Sequence, residues 1–260
     1  TKGYVAFKNN LKSREKIILA GSNGGMLHAF NMTTGAEKWA FIPPSILGNL
    51  KGVVSAKPNN TISIFGVDGT VTVKDVRIGG AWKTVAIVGM GSGGKSYTAL
   101  DITDVNLPKH MWTFENDPGQ SKVIFWNAAG VKTEKSYSSM SSNPQFDYSK
   151  LGEAVSTPRI LRVPHYDASN KSYNDKWVAI FGGGGHGGAA SNYGSAVFIT
   201  DIGDGGKLLK KVDVADKSGN KIPNAVIASV VPVTADTTSV ANYKGALVYF
   251  ADFESKLWKL

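Results

Sequence analysis

Cysteine is absent from this 260-residue chain, which excludes disulfides, thiol nucleophiles and zinc–thiolate sites together. Cytosol, periplasm and cell surface all stay open. Arginine is scarce too, with 4 against 25 lysines in a chain of formal net charge +9. A nucleic-acid reader depends on Arg clusters for bidentate contacts to bases and phosphates. The lysines are instead spread along both halves, as a solvated surface that also blunts strand edges. No nucleic-acid partner is expected. No apolar run approaches the ~18 residues of a membrane-spanning helix. No long amphipathic helix is legible either, and only Gly35–Ala40 and Ser45–Leu50 leave room for helical turns. An initiating methionine and a signal-peptide pattern are missing. Leu257–Leu260 stops in the middle of an apolar alternation, so the chain is expected to be a piece of something longer.

What is present reads as β-structure. Hydrophobic residues make up 42% of the chain and aromatics 10%, ample for a packed core. The 30 glycines are scattered as turn punctuation. Short runs rich in Val, Ile and aromatics, bounded by Gly, Asn, Asp and Ser, predict strands. They are Lys16–Leu19, Met26–Phe30, Thr61–Phe65, Thr70–Val76, Lys83–Val88, Tyr97–Ile102, Trp177–Phe181, Ala196–Thr200, Val226–Val233 and Ala246–Phe250. The fold class is all-β.

The runs repeat. IILAGSNGGMLHAFNMTTGAEKWAF, starting at Ile17, matches segments starting at Val85, Trp177 and Ala246. Each copy is an apolar strand, a glycine-rich turn and a second strand, and in the first two a Trp-x-Phe strand follows. A four-stranded unit repeated at long intervals indicates β-propeller blades, since no blade buries both faces alone. The copies lie further apart than bare blades of ~40–45 residues, so each interval is expected to hold an extra blade or a long insertion. Segments 119–152 and 165–176 look like such insertions.

Candidate chemistry is thin. Gly91-x-Gly93-Gly94-Lys95-Ser96 ends like a phosphate-binding loop, but a P-loop opens a helix and Tyr97–Ile102 reads as a strand. The four histidines, His28, His110, His165 and His186, never pair at metal-ligand spacing, and His28 is expected to be a sheet histidine with a local hydrogen bond. No Gly-x-Ser-x-Gly elbow supports a hydrolytic triad. In the oxygen-rich loop Asp167–Asp175, Lys171 stands where a calcium ligand belongs. Asp201-Ile-Gly-Asp204 is a hairpin turn.

The wording of the first copy carries more. Ala29-Phe30-Asn31-Met-Thr-Thr34-Gly35-Ala-Glu37-Lys-Trp39 resembles the tryptophan-docking blades of quinoprotein dehydrogenases. The whole of Gly21–Ser45 is closer to GSNDGMLHAFD-x-x-TG-x-E-x-WAFIPPS, a phrase of the PilY/PilC family of type IV pilus proteins. Gly24 and Asn31 replace the family's usual aspartates. Val67-Asp68-Gly69, Gly80-Ala-Trp82, Gly91–Asp101, Met111-Trp112-x-Phe114, Ser156-Thr-Pro158-Arg159-Ile160, Trp177–Gly182 and Val248–Lys259 follow in the family's order.

The resemblance implies a modified β-propeller of about seven blades in the full domain, with long loop insertions and a non-enzymatic scaffold role. It implies pilus assembly, opposition to retraction, and adherence or twitching motility, at the cell surface, outer membrane or pilus tip. Pilins, minor pilins and the host-cell surface are the partners it suggests. It also suggests calcium, bound before the strand at Tyr249. There Asp236, Thr238 and Asn242 are the residues that would hold the ion in a degenerate loop, and one carboxylate is a poor charge count for it. Asp252 is expected to turn a hairpin. Two rival readings are a quinoprotein-like dehydrogenase, which would need a quinone pocket and bound calcium, and a surface propeller that binds glycans.

Overall fold

A computed structural model describes residues 3–55, 65–185, 193–215, 224–233 and 246–260. Its architecture follows from runs such as Val85-Ala86-Ile87-Val88, in which every side chain is buried. Alternate residues of a strand point to opposite faces, so such a run needs apolar cover on both sides. Val85 and Ile87 pack with Phe181 and Phe198 further along the chain. Ala86 and Val88 pack with Leu27 and Trp39 before them. Val178 and Ile180 repeat the pattern one unit later, against Val248 and Phe250. Each sheet is therefore the filling between its two neighbours, which is the packing of propeller blades.

Among the described residues, four antiparallel sheets follow one another in chain order. The first holds β1 (Ile17–Gly21), β2 (Leu27–Asn31) and β3 (Glu37–Phe41). The second holds β4 (Val71–Ile78), β5 (Ala81–Gly89), β6 (Ser96–Asp101), β7 (Lys109–Asp117), β8 (Lys122–Trp126) and β9 (Lys132–Ser136). The third holds β10 (Arg159–Asp167), β11 (Ser172–Gly182), β12 (Ala196–Asp201) and β13 (Leu208–Asp213). The fourth holds β14 (Val231–Val233), β15 (Leu247–Ala251) and β16 (Leu257–Lys259).

The repeat extends to irregularities. β2, β6 and β12 each carry a bulge next to their last residues, at Ala29/Phe30, Ala99/Leu100 and Ile199/Thr200. Asn31, Asp101 and Asp201 then accept hydrogen bonds from backbone N–H groups two or three residues on, closing the same turn. Asp252 turns the last hairpin, accepting from Glu254 N and Lys256 N at 3.0 Å each.

Several expectations are corrected. Gly35–Ala40 is a turn leading into β3, because Trp39 needs a strand to reach its neighbour. Ser45–Leu50 does turn helically, as the 3-10 turn Pro44–Asn49 that runs into α2 (Leu50–Ser55), and a further helix, α1 (Tyr4–Asn10), precedes β1. Tyr4 of α1 leans on Trp82, ring centroids 4.5 Å apart. Of Val226–Val233 only Val231–Val233 pairs as strand, and 61–64 of the Thr61–Phe65 run lie outside the described residues.

No extra blade separates the copies among the described residues; the intervals hold insertions. Nor is 119–152 a loose loop. It supplies β8 and the exposed, lysine-bearing edge strand β9, then returns Tyr148 and Leu151 to the core with no exposure. Tyr148 stacks on Phe114 at 3.9 Å and its hydroxyl donates to Gly206 O at 2.8 Å. Segment 165–176 is the exposed tip of the β10–β11 hairpin.

Candidate functional site

The first blade's turns show what its conspicuous residues do. Ser22 Oγ lies 3.0 Å from His28 Nε2, and His28 Nδ1 lies 2.8 Å from Glu37 Oε1. This string has the connectivity of a Ser–His–acid triad, yet it joins the β1–β2 turn to β3 within one small sheet. In the last hairpin Asp252 and Trp258 stand at the corresponding places, and the Trp258 indole N–H donates to Asp252 Oδ2 at 2.8 Å. A position that takes Ser–His in one blade and Asp–Trp in another serves the hairpin. His28 is thus a sheet histidine held by local hydrogen bonds. The other described histidines are dispersed: His110 contacts Thr113 and Phe41, with burial holding its pKa below the ordinary value. His165 lies on the exposed hairpin, and His186 lies outside the described residues.

Asn31 has a local cause. Strand register makes Asn31, Asp101 and Asp201 equivalent, opposite Ile17, Val85 and Val178. Two residues before those partners stand Glu15, Lys83 and Lys176. Lys83 pairs with Asp101 at 2.8 Å and Lys176 with Asp201. In the first blade the charge is reversed, and Asn31 donates to Glu15, which also pairs with Lys38. Burial opposes ionisation of Asp101, but hydrogen bonds from Lys83 and Thr103 outweigh it and keep the carboxyl below its usual range. Asn31→Asp is expected to destabilise by setting a second carboxylate against that of Glu15. Adding Glu15→Lys should recover much of that loss, as thermal unfolding of the double-mutant cycle would measure.

Trp39 and Trp112 reach from one blade to the next. The Trp39 indole N–H donates to Val105 O at 2.9 Å, and Trp112 to Ile202 O at 3.0 Å. Both acceptors lie in the turn after the third strand of the following blade, β6 and β12 respectively. Gly206 lies flat against the Trp112 indole, its missing Cβ position only 2.8 Å from the ring. These are tryptophan-docking contacts.

Three sequence motifs converge on a polar cleft of about 370 Å³ between the first two blades. Ser45 comes from the phrase ending in FIPPS. Gly93, Gly94 and Lys95 come from the glycine loop, and Glu115 and Asp117 end the Trp-x-Phe strand. Ser96 Oγ donates to Ser45 Oγ at 2.9 Å. Asn116 is locked by its donations to Ser149 O and Leu151 O, and Asp117 accepts from Gln120 N at 3.2 Å. Burial, reinforced by Asp117, pushes the Glu115 carboxyl up to about 7 against partial opposition from Lys132, Lys95 and Lys122.

Sequence reading missed Glu115. Its signal was an acidic residue one step beyond the core run Trp112–Phe114, where strand alternation turns it toward a packed interface.

A raised carboxylate pKa destabilises at high pH. Below the unfolded value both states are protonated; stability then falls as pH rises from about 4.5 to 7, where only the unfolded state ionises freely. Glu115→Gln removes that penalty. It is expected to stabilise the chain by about 1–2 kcal/mol near pH 8, allowing for water in the cleft, and to be neutral near pH 4. Thermal melts of the two proteins across that range check this.

The residues expected to hold calcium, Asp236, Thr238 and Asn242, lie outside the described residues. Their donor set of one carboxylate, one hydroxyl and one carboxamide does not fit a calcium loop's charge requirement. Among the described residues no three His, Asp or Glu side chains cluster as a metal site. Asp167 is held by Ser169 and Asn170 in its own turn.

A family model for the PilY1 beta-propeller domain matches residues 1–260. The chain belongs to that family. It is 28% identical over 258 residues to the type IV pilus biogenesis factor PilY1 of Pseudomonas aeruginosa strain UCBPP-PA14. A PilY1 homolog of Xylella fastidiosa is likewise 28% identical over 265 residues. Each match covers 98% of this chain but only 18% and 15% of those proteins. The crystal structure of the Pseudomonas aeruginosa PilY1 C-terminal domain matches with a TM-score of 0.63 and 26% identity, over 98% of this chain and 40% of that one. The PilY1 propeller is therefore the fold.

Proposed function

We propose that this chain is part of the propeller scaffold of a type IV pilus biogenesis factor. The observation that carries the reading is the match to the PilY1 propeller over 98% of the chain, on a fold whose blades are locked to one another by side-chain and backbone bonds. The scaffold supports pilus assembly, counteracts retraction and mediates adherence or twitching motility. It acts through surfaces rather than turnover: the blades are rigid, and exposed segments such as the β10–β11 hairpin project from them. Pilins or minor pilins are its partners, with the host-cell surface a further one, and its place is the bacterial surface, outer membrane or pilus tip. No helix among the described residues is long and apolar enough to cross a membrane. The four sheets belong to a single propeller of about seven blades. No part of this role is routed through calcium, given the donor set at Asp236, Thr238 and Asn242.

Deleting the gene and scoring surface pili and twitching tests the reading. Loss of both, restored by the intact gene, is expected; normal pili in the deletion would refute it.

A further inference from the structure

We propose that the open edge of β1 is the ring-closing site of the propeller, and that it receives a fourth strand, antiparallel to β1, from the same polypeptide outside residues 1–260. In each later sheet a leading strand pairs with the equivalent of β1: β4 with β5, β10 with β11 and β14 with β15. The first sheet has no such strand, because the stretch before β1 turns as α1 and bonds to Asp75 and Trp82 through Tyr4. Lys16 O accepts from Met32 N, and Ser22 N donates to Met26 O. Alternation between these two bonds turns the main-chain groups of Ile17 and Leu19 away from β2. They meet no hydrogen-bond partner on that side among the described residues.

The side chains show the same gap. Val85 and Ile87 hold the places of Ile17 and Leu19 in the second blade and have no exposure, whereas Ile17 and Leu19 are only half-buried. With Val71, Val73, Ile102 and Val105 they line a groove of about 590 Å³ between the first two blades. Val73 is 48% exposed there.

The later blades show what fills such a groove. Each leading strand caps outward carbonyls of the next blade. Thr72 Oγ1 donates to Pro158 O at 2.9 Å, Lys74 Nζ to Ile160 O at 3.0 Å and Arg159 Nε to Val230 O at 3.3 Å. Strand register places Val71 and Val73 where Pro158 and Ile160 stand. Among the described residues no side chain donates to Val71 O or Val73 O. The occupant is therefore an extended segment patterned like β4, with hydroxyl or cationic donors on aliphatic stems facing the second blade. Lys16 holds the place of Thr84, which lies opposite Asp75, so an acidic residue at the far end of the segment would meet a lysine.

The same polypeptide is the favoured source. In a closed ring of about seven blades the last blade comes round to the first. A tethered strand reaches the edge at a millimolar effective concentration, without the full entropy cost of association, and its main-chain bonds extend the sheet. The inference rests on the propeller fold and not on the pilus role. Normal pili in a deletion would leave it intact, and an open edge would leave the pilus reading intact.

The test uses the full-length protein, purified alone. Hydrogen exchange resolved to single amides should find Ile17 and Leu19 slowed to within about tenfold of Ile18 and Ala20, whose N–H groups bond to β2. An open edge would leave Ile17 and Leu19 faster by about a hundredfold or more. Lys16→p-benzoylphenylalanine, at an exposed position beside the edge, should photo-cross-link within one molecule to a peptide outside residues 1–260, identified by mass spectrometry. The proposal is overturned by fast exchange at Ile17 and Leu19. It is equally overturned if no cross-link forms, or if the cross-link joins two molecules or ends within residues 1–260.

Discussion

Gly182→Ala is expected to lower the melting temperature by about 6–12 °C, from a cost of about 3 kcal/mol at ~2–4 °C per kcal/mol for a chain of this size. Gly21, Gly89 and Gly182 end equivalent strands, β1, β5 and β11. At each the chain entering the next blade crosses so closely that a Cβ would lie 2.1 Å from Val67 O, 2.3 Å from Ala154 O and 2.2 Å from Val226 O. The obstacles are backbone carbonyls, which cannot rotate away as a side chain does. At Gly182 the crossing strand is also bonded to its surroundings, with Gly184 N donating to Val226 O at 3.0 Å and Val226 N to Gly194 O at 2.9 Å. Relief would have to come from separating two blades. Gly48→Ala is the control, since nothing lies within 4 Å of a Cβ there, and it should leave the melting temperature nearly unchanged. Equal melting of the two variants would show that the crossings yield more easily than their geometry implies.

Trp112→Ala is expected to be at least as damaging, at about 4 kcal/mol or more. The side chain is 1% exposed, stacks on Phe114 at 5.4 Å and packs on Gly206, so its removal opens a cavity between two blades. It also leaves Ile202 O without its donor, a penalty of about 1–3 kcal/mol for a buried group. Trp112→Phe separates the two contributions by keeping most of the ring and losing the N–H. It should cost roughly 1–2 kcal/mol beyond the small loss of area. Chemical denaturation of the three proteins measures both numbers. A Phe variant as stable as the parent would show that the indole hydrogen bond adds nothing, and an Ala variant within 1 kcal/mol would show that the docking contact is dispensable.

The strands that sequence reading placed best are those whose both-face burial leaves uninterrupted apolar runs, Val85–Val88 and Val178–Phe181. The turns were legible for a second reason. Asp201 and Asp252 close local rings of backbone hydrogen bonds, so their chemistry depends on residues only a few positions away. The Ser22, His28 and Glu37 cluster escaped notice because the three side chains meet only once β2 and β3 pair across a bulge. Glu115 escaped because the other walls of its cleft come from the first blade and from the glycine loop.

Helix α1 was also missed. At seven residues it is too short for helical periodicity to show, and it is held by the contact of Tyr4 with Trp82, far along the chain. Segment 119–152 has the polar composition of a loop, yet β8 adds to a sheet edge and Tyr148 completes the core between the second and third blades.

Local patterning by itself determined the fold class, the four repeat units and their turns, and the phrase Gly21–Ser45 carried the family resemblance. Burial on alternate faces and side-chain-to-backbone turn closure act over a few residues, and their marks survive in a linear reading. Tertiary structure alone decided which glycines are crossings, which blade each tryptophan docks on, why Glu15 accompanies Asn31, and that Glu115 faces a cleft. Those outcomes depend on contacts between segments 16 to 90 residues apart, where the partner's identity and not the local spacing sets the energy.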